Sequence, residues 1–584
     1  MKNYLCTICL MFGIYLSFSS QADGTLSISY KLSNLPDHIK HNILVYLNSK
    51  SYDCQSLLTS ISQQRKDMRT QIKSAIEPFG YFNSEINVTS SPKSNCQPLE
   101  LQIDLGQVTT ISRAHISVIG GDDDIDALLA THKLQTGNPL IQPRYEALKS
   151  QLRQMANEKL YLDARFTAQS LEVFPDTNKA EIKLVFELGQ RYAINAINLD
   201  MGDELKNDTY LNRSLVEKLI TIKPSNYLTY DDLYKLKQKL NSYGYFEQVI
   251  VDIDEEARSS TGVPLTIKLK PAVKYDYSVG LGFSTDAGVK ASFKYNNHRI
   301  NDQGHQFTSH LDLSELSYEL NAAYKIPSKN KPASKWFNVN VAYRDEQTDQ
   351  VDSQTSKLGF TQTRISNNNW QNINFIDLLH EKFNIGQDKD ESLLLVPGIS
   401  WSITDADSLP RPSRGYKLQT EIKGASEDVF SDASFAQITL FGKYIHAVSD
   451  RNRLLYRTQL GATVSSDFDE LPTTYRFFAG GDQNLRGYDF ESIAPVNSVT
   501  GDLIGGKHLA VGSIELEHQF APQWAVAAFT DFGDAFTNDF DFKYTVGAGI
   551  RWFSPIGPIR VDLGVPLNQD ENDFRLHVTI GPDL

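Results

Sequence analysis

The residues whose types and spacing carry the clearest chemistry are one arginine and two carboxylates. Arg486 sits in the stretch Arg476-Phe477-Phe478-Ala479-Gly480-Gly481-Asp482-Gln483-Asn484-Leu485-Arg486-Gly487-Tyr488. The Gly480-Gly481 pair allows a tight backbone path, and Gly487 lets Arg486 and Tyr488 project from a closely packed loop. Taken alone, Arg-Gly-Tyr is an ordinary loop tripeptide. Downstream, however, Glu515 lies in Gly512-Ser513-Ile514-Glu515-Leu516 and Asp531 in Phe529-Thr530-Asp531-Phe532-Gly533. Each is a carboxylate inside an alternating apolar pattern, so each is expected to face inward on a strand. A guanidinium engages carboxylates in a bidentate, charge-assisted manner. The expected chemistry is therefore an ion-pair cluster that anchors a loop, with no bond made or broken.

Reactive constellations are missing from the sequence. There is no G-x-S-x-G elbow, phosphate-cradling G-x-x-x-x-G-K or H-E-x-x-H pair, and His380-Glu381 lacks a second histidine at the required spacing. His38 and His41 could share a helix face, but two histidines without a third ligand are read as surface residues. Asp122-Asp123-Asp124 follows Gly120-Gly121 and reads as a solvated turn rather than a calcium loop. The expectation is a protein that is not an enzyme and uses no cofactor or metal.

The elements that must position Arg486 follow from the rest of the chain. With 584 residues and 40% hydrophobic content, several folded units are expected. Residues 1–22 carry Lys2, an apolar run from Tyr4 to Phe18 and the small residues Ser20-Gln21-Ala22, the pattern of a cleaved secretory signal. Cys6 and Cys9 would leave with it. The remaining cysteines, Cys54 and Cys96, would meet an oxidising compartment, either as one disulfide or as two free thiols. A net charge of -14 and a pI near 5.4 argue against nucleic acid as a partner.

From about Asp23 to Pro271 an imperfect repeat recurs three times: a helix, a tight turn with an aromatic, and a strand. Arg69 to Pro78 leads into Gly80-Tyr81-Phe82 and Ile86-Asn87-Val88. Tyr234 to Ser242 leads into Gly244-Tyr245-Phe246 and the strand from Val249 to Ile253. The middle copy is degenerate, with a helix from Tyr145 to Asn157 and a strand near Ala164 to Ala168. Closing strands from Ala180 to Leu188 and Leu265 to Leu269, and opening strands from Arg113 to Val118 and Tyr192 to Leu199, complete a β-α-α-β-β grammar. From Val273 onward the texture changes to period-two alternation, as at Tyr275 to Phe283, Val289 to Tyr295, Phe337 to Tyr343, Tyr456 to Val464, Tyr544 to Trp552, Ile559 to Leu567 and Phe574 to Ile580. Aromatics such as Trp336, Tyr343, Trp401, Tyr544 and Phe553 fall near strand ends, as in interfacial girdles. The fold class expected is α+β repeats followed by an all-β transmembrane antiparallel barrel of about sixteen strands, one per roughly twenty residues.

These features resemble the BamA/TamA superfamily of outer-membrane insertases and translocators. The repeats look like polypeptide-transport-associated (POTRA) domains, which gives a division into a signal at 1–22, POTRA domains at 23–106, 107–189 and 190–271, and a barrel at 272–584. Arg486 matches the arginine of the superfamily's V-R-G-F loop motif, with Leu485 and Tyr488 as conservative replacements. Glu515 matches the strand glutamate, and Phe529, Asp531 and Gly533 match its F-x-D-x-G strand. The resemblance implies that Arg486, Gly487, Tyr488, Glu515, Asp531 and Gly533 anchor the loop inside the lumen. Phe477 to Asp482, Arg551 to Ile559 and the ending Ile580 to Leu584 look like the TamA branch. That branch implies a periplasm-spanning TamB-like partner, autotransporters and other barrel proteins as clients, and a link to outer-membrane phospholipids.

A lateral seam is expected between the first barrel strand, with Tyr277, Val279 and Leu281, and the last, with Leu576, Val578 and Ile580. The last strand is short and stops at Gly581-Pro582, where proline cannot donate to a ladder. A client strand could add to the exposed edge. A two-partner-secretion pore or a passive channel is the alternative reading.

Overall fold

The computed structural model describes residues 30–32, 35–50, 61–89, 99–202, 210–224, 226–348, 351–366, 368–385, 388–408, 411–554, 557–568 and 574–580. Residues 1–22, Cys54, Cys96 and Gly581-Pro582 lie outside them. The chain divides into two compact units, one of residues 1–196, 224–233 and 254–264, the other of 197–223, 234–253 and 265–584.

Three small three-stranded sheets precede the barrel. The first orders β1 (Tyr30–Leu32), β3 (Leu99–Asp104) and β2 (Glu85–Thr89), with α1 (Asp37–Asn48) and α2 (Ile61–Ile76) beside it. Ile39, Ile43 and Leu47 recur at the helical period on α1, and Met68, Ile72 and Ile76 do so on α2. All six are buried together with Val88 and Leu101 of the sheet, which is why these polar-rich segments fold as helices against strands. His38 and His41 are exposed on α1, and among the described residues no three metal-ligating side chains converge.

The second sheet orders β4 (Thr110–Ile119), β6 (Lys179–Glu187) and β5 (Arg165–Phe174), with α3 (Asp123–Thr131) and α4 (Gln142–Glu158) in between along the chain. Here the aspartate run departs from the expected solvated turn. Asp122 is the N-cap of α3, accepting from the Asp124 and Ile125 amides at 3.2 and 3.3 Å. Its carboxylate also takes the Lys159 Nζ at 2.6 Å and the Tyr161 hydroxyl at 3.1 Å. The free amides of a helix N-terminus recruit a carboxylate that a turn would have left in water. Burial pushes the Asp122 carboxyl up, but Lys159 and the Ile125 amide outweigh it and hold it below the usual carboxylate range.

Asp122→Ala is expected to destabilise this domain by about 1–2 kcal/mol, whereas Asp122→Asn keeps the cap and loses less. Because the folded carboxyl is the more acidic, the wild-type advantage over Asp122→Asn is present above the unfolded pKa and fades as pH falls through the folded one. Urea titrations of the second domain at neutral and acidic pH would check both.

The third sheet orders β7 (Ile194–Asp200), β9 (Val263–Pro271) and β8 (Phe246–Ile253), with α5 (Arg213–Leu219) and α6 (Tyr230–Ser242) in this region. Within the second unit, Leu236, Leu240, Val249, Leu265 and Ile267 are buried. Tyr245, from the Gly-Tyr-Phe turn, donates its hydroxyl to the Gly304 carbonyl at 2.6 Å, and Gln306 donates to the Tyr243 carbonyl at 2.8 Å. These bonds fasten the turn to the connection between the second and third barrel strands.

The barrel is a sixteen-stranded antiparallel sheet in sequence order. Its strands are β10 (Tyr275–Ser284), β11 (Gly288–Asn297), β12 (Gln306–Leu313), β13 (Ser317–Pro327), β14 (Lys335–Gln347), β15 (Val351–Ile365), β16 (Gln371–Ile385) and β17 (Asp388–Ala406). The second half contains β18 (Gly415–Ala425), β19 (Phe435–Ser449), β20 (Asn452–Ser465), β21 (His508–Ala521), β22 (Trp524–Phe536), β23 (Lys543–Ser554), β24 (Gly557–Pro566) and β25 (Arg575–Ile580).

The alternation puts one face outward and one inward. On β21, Ile514 and Leu516 are exposed while the alternating Ser513, Glu515 and Glu517 are buried. An apolar outside around a polar inside is the arrangement a bilayer selects. Trp524 and Trp552 stack on the outside at 6.0 Å. Phe553, expected in a lipid-facing girdle, instead lies 4.0 Å under the Arg411 guanidinium of the turn after β17, because it is one residue out of phase with Trp552.

Candidate functional site: a lumen-anchored loop beside an unpaired seam

The connection between β20 and β21, residues 466–507, is the longest in the barrel and leaves from the end away from the third sheet. It turns inward. Its first limb is fixed by Glu381 of β16, fully buried, which accepts from the Thr473 hydroxyl and, at 2.5 Å, from the Thr474 hydroxyl. Arg476 then ties the two limbs together by donating to three carbonyls, of Leu471 and Asp469 at 2.7 Å and of Ile504 at 2.9 Å. Backbone bridges join Phe477 to Gly506 and Ala479 to Ile493, so the tip around Arg486 is delivered by a narrow double-stranded stem.

At the tip Arg486 meets the wall. Its Nε and Nη2 reach the two oxygens of Asp531 at 2.7 and 2.8 Å, and its own amide donates to Asp531 at 3.1 Å. Nη1 bonds Glu515 at 2.7 Å and Asp562 at 3.1 Å. The guanidinium lies over the Phe529 ring, Cζ 3.4 Å from its centre. Arg551 bridges the same two acids from β23, reaching Glu515 at 2.7 Å and Asp562 at 2.6 Å. Arg457 of β20 stands 3.8 Å from Asp531 and donates to the Asn484 carbonyl at 3.1 Å. Three guanidinium cations thus face three carboxylates, all six side chains largely shielded from solvent. Pairing of this quality offsets the cost of taking such charges out of water, and it makes the loss of any one member expensive.

Glycines make the approach possible. Gly487 has φ +100°, a backbone that side-chain-bearing residues resist, and the loop passes so close to Gly564 of β24 that a Cβ there would stand 2.8 Å from the Gly487 nitrogen. Gly533 of β22 has φ +146° and backs onto the Ala510 carbonyl. Tyr488 is buried among Leu485, Ile493, Val511 and Ala535.

Arg486, Glu515 and Asp531 are therefore in direct contact, with Gly487, Tyr488 and Gly533 around them. Asp562, Arg551, Arg457 and Ser513 belong to the same cluster and escaped the sequence reading. Asp562 between Val561 and Leu563, and Arg551 between Ile550 and Trp552, carry the same sign that singled out Glu515: a charge flanked by apolar residues in a period-two strand.

The other set of residues lies at the barrel's seam. Among the described residues no ladder joins β10 to β25, although every other neighbouring pair in the barrel is laddered. Among the described residues one hydrogen bond crosses directly, the Val578 amide donating to Thr285 Oγ1 at 3.3 Å, and His577 Nδ1 approaches Asp286 Oδ1 to 3.7 Å. On β10, Tyr277, Val279 and Leu281 are exposed, Leu281 to 83%. On β25, Leu576 and Ile580 are exposed and Val578 is half-buried. β25 pairs with β24 over only six residues.

Comparison with known proteins places this architecture. The Omp85 superfamily domain matches residues 271–583, and the first POTRA domain of TamA matches residues 29–105. The chain belongs to the Omp85 superfamily: an outer-membrane β-barrel preceded by periplasmic POTRA structure. It is similar to the outer membrane protein assembly factor BamA of Nitratidesulfovibrio vulgaris, 22% identical over 409 residues, covering 64% of this chain and 51% of that protein. It is also similar to BamA of Neorickettsia risticii, 21% identical over 449 residues, covering 70% and 57%. The chain spans about half the length of these curated relatives. Among solved structures, BamA from Haemophilus ducreyi lacking POTRA domains 1-3 has the same fold, with a TM-score of 0.59, 16% identity and coverage of 81% of this chain and 99% of that one.

Proposed function

We propose that this protein is the outer-membrane subunit of a translocation and assembly module, TamA-like within its superfamily, which inserts or translocates β-rich clients without nucleotide hydrolysis. Its three POTRA domains would occupy residues 23–106, 107–189 and 190–271, ahead of a barrel from 272. The observation that carries the reading is the seam: a sixteen-stranded barrel in which, among the described residues, no ladder joins the edge strands β10 and β25. An unpaired edge facing lipid is costly, because hydrocarbon offers no hydrogen bonds, so a client strand that adds to it gains more than it would in water. Exposed Tyr277, Val279 and Leu281 would form the receiving edge, and Leu576, Val578 and Ile580 the opposing one. Arg486 and its acids hold the loop and take no part in bond chemistry. The match of residues 29–105 to a TamA POTRA domain supports the TamA-like branch. In this reading the partner is a TamB-like periplasm-spanning protein, the clients are autotransporters and other barrel proteins, and outer-membrane phospholipids are the second candidate cargo.

Depletion of this protein alone, with outer-membrane proteins and phospholipids quantified in parallel, tests the proposal. A fall in autotransporters or barrel proteins ahead of any lipid change supports it. Unchanged protein assembly, with high single-channel conductance of the purified protein, would replace it with a passive pore.

A further inference from the structure

The loop tip reaches beyond its arginine anchor, to both sides of the seam. Toward the last strand, the Gly487 amide donates to His577 Nε2 at 2.8 Å, and Asp489 forms an ion pair with Arg575. Toward the first strand, the Asp482 amide donates to Asp286 Oδ2 at 2.6 Å, in the turn that joins β10 to β11. His577 is buried and Asp286 largely so, they come from opposite edges of the seam, and the loop occupies both. Since His577 accepts through Nε2, its ring proton sits on Nδ1. That atom lies 3.7 Å from Asp286 Oδ1 and has no hydrogen-bond partner. A buried donor left unbonded beside a carboxylate is unfavourable, and a movement of about 1 Å would join them.

We propose that the loop tip 481–489 is a clamp across the outer end of the seam, with Asp286 and His577 as its two positioning residues. Among the described residues the Val578–Thr285 bond is the one direct hydrogen bond across the seam, beside the 3.7 Å approach of His577 to Asp286, so the loop supplies most of the hydrogen-bonded connection between the two edges at this end. Its rigid attachment through Arg486 then fixes how far the edges can part. Release of either Asp286 or His577 frees one edge while the barrel wall stays intact. Direct closure of Asp286 onto His577 would give a tighter state than the one seen here. This inference rests on the seam reading above for its functional meaning, but the clamp itself is a matter of distance between strands.

The test uses spin labels on the full-length protein in lipid vesicles, at Val289→Cys of β11 and Leu563→Cys of β24. Both positions face outward at the outer end of the barrel, one strand removed from the seam on either side. Pulsed dipolar spectroscopy then reads the seam without touching its edges. Asp286→Ala and His577→Ala are each expected to lengthen or broaden the distance distribution by about one strand spacing, ~4.8 Å. His577→Gln, which can still accept from Gly487, is expected to stay close to wild type. If either alanine variant fails to fold, Asp489→Ala supplies a milder release on the loop's exposed ion pair, with a smaller shift in the same direction. Unchanged distributions in every folded variant would overturn the clamp. Lengthened distances with undiminished client assembly would keep the clamp and defeat the insertase reading instead.

Discussion

Replacing Arg486 with alanine is expected to cost the barrel about 3–5 kcal/mol, the usual penalty for removing one partner from a buried ion pair. Asp531 would lose both of its guanidinium bonds, and Glu515 and Asp562 would retain only Arg551. Arg457, at 3.8 Å from Asp531, is placed to recover a fraction of the loss. Lysine is a poor substitute, because a single ammonium cannot reproduce the two-pronged contact to Asp531 while also reaching Glu515. Arg486→Lys should therefore fall nearer to alanine than to wild type. Exchanging the acids and the cation together for apolar residues would be far milder, since the burial cost disappears with the charges. Urea midpoints of folded barrel in vesicles, and the temperature at which the compact electrophoretic form is lost, would measure the series. Wild-type values for Arg486→Ala would mean that the loop is held elsewhere, with Glu381 and Arg476 as the remaining anchors.

Gly533→Ala is expected to be nearly as damaging, on the order of 3 kcal/mol, through strain and overlap rather than charge. An added Cβ would stand 2.1 Å from the Ala510 carbonyl oxygen and 2.6 Å from the Val511 Cα, and both are backbone atoms that cannot swing away. The φ of +146° adds a conformational penalty. Val511 pairs with Gly533 in the ladder and packs against the loop tip, so relief of the overlap has to displace the surface on which Tyr488 rests. Gly282→Ala on β10 is the control: its new methyl would meet nothing closer than 3.9 Å and its backbone is unstrained, so a change of under about 0.5 kcal/mol is expected. Equal stability of the two variants would show that the β21–β22 pairing tolerates a bulge at this point.

Much of the architecture could be read before any coordinates because each barrel strand must repeat one constraint. Alternation at Tyr275 to Phe283 or Tyr544 to Trp552 reports an apolar outside and a polar inside directly, residue by residue. The three helix–turn–strand copies were legible for a similar reason: Leu236 and Leu240 recur at a helical spacing, and Gly244 interrupts it. Part of the cluster was legible too, since Glu515 and Asp531 are charges in strands otherwise apolar.

What escaped was convergence. Asp562 and Arg551 are charges flanked by apolar residues like Glu515, but which charges meet is decided only when β24 is placed two strands from β22 and Arg551 finds its acids across the sheet. Asp122 was misjudged because a run of three aspartates is usually solvated, whereas here the first of them caps the helix that follows it and Lys159 and Tyr161 reach it from a distant part of the chain. Phe553 was misplaced by one residue of phase. His577 and Asp286, far apart in sequence, become neighbours only because the barrel brings its first hairpin beside its last strand.

In the proposed function, client strands are received at the seam between β10 and β25. A disulfide between Thr285→Cys and Val578→Cys addresses it most directly, since Thr285 Oγ1 already lies 3.3 Å from the Val578 nitrogen and joins the two edges outside the Arg486 cluster. Assembly of an autotransporter client would be measured in cells or vesicles with the bond formed and then reduced. The prediction is loss of assembly when oxidised and recovery on reduction, with the barrel folded in both states. Full client assembly with the staple quantitatively closed would show that the seam need not open.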